Sequence, residues 1–245
     1  MPPPNPPVGL TLENAGFTAA GRVILSDLTL SLTEQRIGII GRNGSGKTSL
    51  LRLLSGLVAP ATGTVRVDGL DPARDRKAIL SRLGILFQNP DHQIIFPTVA
   101  EELSFGLHQQ GMAKPAAKAA MRAMLAQHGR SHWEDRPVTA LSQGQRHFLC
   151  LLSLLAMKPA TILLDEPFAG LDLPTQSRLT RTFDALPQRL ILITHDPAAL
   201  ARYDRVIWLE QGRIRADGPP TTILPDFTTE MTRLGEVDAD TDLSD

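Results

Sequence analysis

"RIGIIGRNGSGKTSLLRLLSGL", Arg36 to Leu57, changes character twice along its length. An apolar run ending at Ile40 reads as a buried strand, "GRNGSGKT" (Gly41 to Thr48) as a glycine-rich turn, and the following leucines recur at helical spacing. In such a strand, loop and helix, two glycines and a Lys-Thr pair at fixed spacing let the backbone curl until successive N–H groups point inward. The helix that follows adds its positive dipole end, so phosphate is the natural guest. Gly41, Arg42, Asn43, Gly44, Ser45, Gly46, Lys47, Thr48 and Ser49 are therefore the expected nucleotide cradle. Lys47 reaches the β and γ phosphates, and the Thr48 hydroxyl ligates Mg²⁺.

Upstream, "GLTLENAGF" and "LSDLTLSLT" alternate apolar and polar residues like half-buried antiparallel strands. Downstream, "GTVRVDGLD" and "RLGILFQNP" read as strands, the second ending at Gln88. Residues 89–140 turn helical. In "AKPAAKAAMRAMLAQHG", Pro115 suits a first turn and Met121, Met124, Leu125 and His128 share a face that reads as core packing. "TILLDEP" and "RLILITHD" are continuous apolar runs that suit parallel strands buried on both faces, and "RVIWLEQGRIRADG" reads as a hairpin turning at Gln211 and Gly212. The class is α/β: a phosphate-loop core with a mainly parallel sheet, an antiparallel β part and a helical stretch over 89–140.

Composition sets outer limits. The chain of 245 residues is 42% hydrophobic, enough for one sizeable core, and its net charge of −1 gives no reason to expect a nucleic-acid partner. A single cysteine, Cys150, excludes an intrachain disulfide, fits a reducing compartment, and sits among apolar neighbours as a packing thiol. "MPPPNPPVG" lacks the basic and apolar regions of a signal peptide, so residues 1–9 are expected to be a flexible proline-rich lead-in. Residues 226–245 carry seven acids against Arg233 alone and are expected to be a solvated acidic tail. The longest apolar run, Phe148 to Met157, falls short of the ~18 residues that suggest a membrane span.

Chemistry gathers at strand ends. "ILLDEP" delivers Asp165 and Glu166 to the carboxyl end of a buried strand, where ligands bind in open α/β sheets. Asp165 suits a second Mg²⁺ contact, and Glu166 stands where a water is oriented toward a γ-phosphate. His195 ends the neighbouring strand, as either a structural histidine or a γ-phosphate contact. Gln88 ends another and offers an amide oxygen to the metal or the water. "LSQGQ", Leu141 to Gln145, precedes an apolar helix. It is either a turn into that helix or a helix N-terminus left open for an anion.

In this order, the phosphate loop, Gln88, "LSQGQ", "LLDEP", "GLD" at Gly170 to Asp172 and His195 resemble the nucleotide-binding subunits of ABC transporters, from about Leu10 to Leu224. The resemblance makes residues 10–225 one ATPase domain, with 89–140 as its helical insertion. It implies a head-to-tail homodimer with two ATP molecules sandwiched between the phosphate loop of one copy and Leu141, Ser142, Gln143, Gly144 and Gln145 of the other. Asp172 then links the two sites, Glu166 is the catalytic base and His195 the γ-phosphate sensor. Many members carry an adenine-stacking aromatic two positions after the phenylalanine of "NAGFTAAG". This chain has Ala19 there, which leaves Phe17 or Arg22 as the substitute, with Phe17 as the candidate.

"QNPDHQIIFPTVAEELSFG" resembles a segment of ATPases in energy-coupling-factor importers, which take up vitamins and transition-metal ions. In that group it contacts a membrane coupling protein, which makes Asp91, His92 and Gln93 the coupling residues. The resemblance implies a cytoplasmic protein, peripheral on the membrane, working with an integral-membrane coupling protein and a substrate-capture membrane protein. The length is more similar to ATPases of biotin uptake systems than to the longer cobalt or nickel versions. The alternative is a soluble ABC-family assembly or translation factor. An exporter ATPase would not be expected to read "NPDHQ", and a phosphate-loop kinase would leave "LSQGQ" without a role.

Overall fold

In the computed structural model, residues 9–236 are described. The elements follow in chain order: β1 (Leu10–Ala19), β2 (Arg22–Leu32), β3 (Arg36–Ile40), α1 (Lys47–Leu54), β4 (Thr62–Val67), α2 (Arg76–Ile79), β5 (Leu83–Leu86), α3 (Val99–Gln109), α4 (Lys114–Gln127), α5 (Gln143–Ala156), β6 (Thr161–Asp165), α6 (Leu173–Asp184), β7 (Arg189–Thr194), β8 (Arg205–Glu210), β9 (Arg213–Gly218) and α7 (Pro220–Glu236). β1 pairs antiparallel with both β2 and β4 in a small sheet. The larger sheet runs β5-β6-β7-β3-β8-β9, parallel except for the antiparallel edge strand β9.

The uninterrupted apolar strands are buried on two sides, as expected. Leu163, Ile191, Ile193, Ile37 and Ile39 join the core shared with α1 and the antiparallel sheet. Their neighbours Ile162, Leu164, Leu190, Leu192 and Ile40 join a second core beneath α5, α6 and α7. Burying one such side chain is worth ~2 kcal/mol, more than a surface ion pair supplies. Packing of this sheet therefore fixes where the strand ends stand. β5, β6, β7 and β3 are parallel neighbours, so Gln88, Asp165 with Glu166, His195 and the phosphate loop all follow strands at one edge. The hairpin turns at Gln211 and Gly212, both left-handed (φ 48° and 74°), as its sequence suggests.

Two expected boundaries differ. The helical subdomain does not close at Ala140, because Leu149 and Leu152 of α5 complete its core with Val99, Leu103, Met121, Leu125 and Trp133. Cys150, Leu151 and Leu154 of the same helix face the large sheet. The acidic tail does not begin at Asp226 either, because α7 runs on to Glu236. Ile223 and Phe227 are buried, and Phe227 meets the Trp208 ring edge-on at 5.2 Å. Glu230 is not simply solvated. Hydrogen bonds from Arg233 and Arg215 hold its carboxyl down at about 2. The proline-rich residues 1–8 and the acids beyond Glu236 lie outside the described residues.

Candidate active site

The N-terminus of α1 has no side-chain cap, as those of α2 and α4 have none. Thr98, Ser142 and Asp172 cap α3, α5 and α6 with side chains, whereas α1 starts on Gly46 (φ 102°) with no side-chain cap. Its first amides therefore lack the usual partner and stay open to an anion. Gly41 admits nothing larger, since a Cβ there would drive into the Leu209 carbonyl oxygen and Ser45 Oγ. The β8–β9 turn braces the loop from behind, the Gly212 N–H donating to the Ser45 carbonyl at 3.0 Å.

Lys47 Nζ donates to the carbonyl oxygens of Gly41 (2.7 Å) and Arg42 (2.9 Å). Burial lowers its pKa, against the pull of Glu166, Asp165 and Glu210. Burial likewise raises the Asp165 carboxyl, with help from the charge of Glu166 and against Lys47 and Arg52. Glu166 is left-handed (φ 44°), a conformation that costs a non-glycine residue ~1–3 kcal/mol. Its side chain is held at both oxygens. Oε1 lies 2.8 Å from His195 Nδ1, and Oε2 accepts the Thr194 hydroxyl at 3.1 Å.

These groups share a cleft of about 510 Å³, lined by Asn43, Gly44, Gly46, Lys47, Thr48, Ser49, Gln88, Asp165, Glu166 and His195, with Ile24. Gly41, Arg42 and Ser45 are not among its lining residues, and Gly41 and Arg42 line an adjoining cleft with Asn43 and His195. Phe17 is not among the lining residues. It is half-buried against the first core, and Ile24 of the adjacent strand supplies the apolar wall. Thr48, Gln88 and Asp165 bring a hydroxyl, an amide and a carboxylate oxygen to one cleft. This hard donor set fits Mg²⁺, which takes few protein ligands, and the paired carboxylates are a concentration of charge that a cation relieves.

The "LSQGQ" turn is a capping box. The Ser142 Oγ accepts the Gln145 N–H (3.3 Å), and Gln145 Oε1 accepts the Ser142 N–H (2.9 Å). The turn is thus punctuation closed by its own side chains, while the N–H groups of Gln143 and Gly144 stay open among the described residues. Gly144 packs against α6, where a Cβ would stand 3.1 Å from Thr175 Cγ2. Asp172 caps α6 by accepting the Thr175 N–H at 2.9 Å, and hydrogen bonding from the Thr175 side chain, then from its backbone, lowers the Asp172 pKa. Ser142, Gly144 and Gln145 line a separate cleft with Trp133, Thr175 and Arg178, and none of them reaches the phosphate cleft.

The family model for ABC transporters matches residues 25–169. The chain belongs to the ABC transporter family. It is an ATPase of this family. The biotin transport ATP-binding protein BioM of Rhodobacter capsulatus is 54% identical over 219 residues, covering 89% of this chain and 94% of that protein. BioM of Rhizobium etli is 41% identical, covering 86% and 94%. Among solved structures, CbiO1 of Clostridium perfringens, part of the ABC transporter complex CbiONQ, superposes with a TM-score of 0.75 at 26% identity, over 95% of this chain and 96% of that one.

In this ABC chain the segment after Gln88 is only partly outward-facing. Asp91 and His92 are exposed, but Gln93 turns inward and its Oε1 accepts the Phe87 N–H at 3.1 Å. Buried Glu102 accepts the N–H groups of Ile95 (2.9 Å) and Phe96 (3.0 Å), and leaves the Ile95 side chain 68% exposed. Ile24, Glu102 and Gly212 were not among the expected site residues. Only Gly212 carried a local signal, its place in the hairpin turn.

Proposed function

We propose that this ABC ATPase energises a biotin importer of the energy-coupling-factor type, through a homodimer that sandwiches two ATP molecules. The observation that carries the reading is the separation of the two motifs. One chain holds a phosphate cleft and the "LSQGQ" turn, Leu141 to Gln145, the signature of the family, in different clefts, so a second copy, turned head to tail, supplies what each cleft lacks. The close likeness to proteins named for biotin transport supports the substrate. The likeness to a subunit of a multi-component transporter complex supports peripheral placement on the cytoplasmic face, beside a membrane coupling protein and a substrate-capture protein. Among the described residues no helix is long and apolar enough to cross a membrane.

In this mechanism the open amides of α1 and Lys47 hold the β and γ phosphates, with the Gln143 and Gly144 amides and Ser142 of the partner copy closing over the γ-phosphate. Bound Mg²⁺, held by Thr48, Gln88 and Asp165, would neutralise charge developing on the phosphates. Glu166, fixed by His195 and Thr194, takes the proton of the attacking water. His195 senses the γ-phosphate, Gln88 offers its amide oxygen to the metal or the water, and Asp172 links the two sites across the interface. Uptake of labelled biotin by cells carrying Glu166→Gln in place of the natural chain tests the reading. Uptake should fall to background, and unchanged uptake would remove biotin import from this chain.

A further inference from the structure

Arg146 lies four residues beyond Ser142, on the first turn of α5, and its guanidinium faces two ways. Nη1 donates to the carbonyl oxygen of Leu141, the first signature residue, at 2.8 Å. Among the described residues no other group donates to that oxygen. Nε stands 2.9 Å from Asp91 Oδ1 in the segment after Gln88. That second link is a contact of charges, because the Nε–H is not aimed at the oxygen.

The segment rests on the same face of α5. One turn beyond Arg146, Cys150 Sγ lies 4.0 Å from the carbonyl of buried Pro90. Asn89 Oδ1 accepts the Asp91 N–H at 2.9 Å and fixes the short 3₁₀ turn Pro90–His92. The Arg146 side chain is 23% exposed and that of Asp91 61%. The pair is thus anchored on the helix side and open on the segment side.

We infer that Arg146 is a positioning residue that ties the segment after Gln88 to the signature turn. A displacement of Asp91 passes through one guanidinium to the Leu141 carbonyl, and so to the open N–H groups of Gln143 and Gly144. Ser142 and Gln145 are satisfied by each other, which leaves the Leu141 carbonyl as the place where this turn is gripped by a side chain from outside the capping box. The inference rests on the proposed role of that turn as the contact to ATP in the partner copy.

The test is the ATP dependence of hydrolysis by the purified full-length chain, compared with Asp91→Asn, Arg146→Gln, the double variant and Arg146→Lys. Each of the first two should raise KM for ATP about threefold or more, with a smaller change in kcat, since neither touches the Glu166 cleft. The double variant should be no worse than the worse single one, the mark of groups acting as one unit. Arg146→Lys keeps the charge without the fork of donors and should recover only part of the loss. A purely structural role would lower the melting temperature and kcat and leave KM in place. Additive effects would overturn the inference, as would an unchanged KM in Asp91→Asn, a variant of an exposed side chain that stays informative if Arg146→Gln does not fold. Failure of the underlying reading looks different: the natural chain itself would then show no saturable ATP hydrolysis.

Discussion

Glu166 combines a left-handed backbone with hydrogen bonds to both carboxylate oxygens, so its conformational cost is offset by Thr194, the last residue of β7, and His195 just after it. Replacing it with Gln keeps the shape and removes the proton acceptor. Glu166→Gln should retain ATP binding, measured with a fluorescent nucleotide, while steady-state hydrolysis falls about 100-fold or more. Near-normal hydrolysis would remove Glu166 as the base. Asp165 poses the opposite case. Burial and Glu166 raise its pKa, so above that pKa the ionised carboxylate costs the nucleotide-free fold stability. Asp165→Asn should therefore melt higher than the natural chain at pH 7.5, while losing hydrolysis. The difference in melting should shrink as pH falls and the natural carboxyl becomes protonated in both states. At this scale the sequence was most readable where chemistry is local, as in Lys47, Thr48, Asp165 and Glu166. Ile24 and Arg146 were hidden because the groups they face come from other elements.

Among the elements, the strands and α1 were legible through periodicity, and the hairpin through its Gln211-Gly212 turn. α7 was not, because Pro220 and Pro225 and its acids disguised it. Its packing face, Ile223, Phe227 and Met231, recurs at i, i+4 and i+8, and Pro225 is tolerated inside the helix although it lacks an N–H. Phe227→Ala should cost about 3 kcal/mol in urea unfolding, as expected for a buried aromatic. No loss would return the stretch to a solvated tail. α5 carries two assignments. Leu149 and Leu152 belong to the helical subdomain and Cys150 and Leu151 to the sheet core, so the signature turn cannot shift without both bodies responding. In the sequence the border fell at Ala140, just before "LSQGQ" turns into the next helix, and only packing shows that this helix is shared.

For the whole molecule, the decisive feature is separation: the phosphate loop and the "LSQGQ" turn of one chain line different clefts. Slowing hydrolysis should trap the closed assembly. Light scattering of Glu166→Gln should report more dimer with ATP than without it, and adding Ser142→Arg should remove that gain. Ile95, beside the exposed Asp91 and His92, presents an apolar side chain to the outside. The most direct test of the account is to purify the tagged chain from its own cells in mild detergent and identify the proteins that accompany it. The account predicts a helical membrane protein together with a second membrane protein that carries biotin. Recovery of soluble partners alone would contradict it.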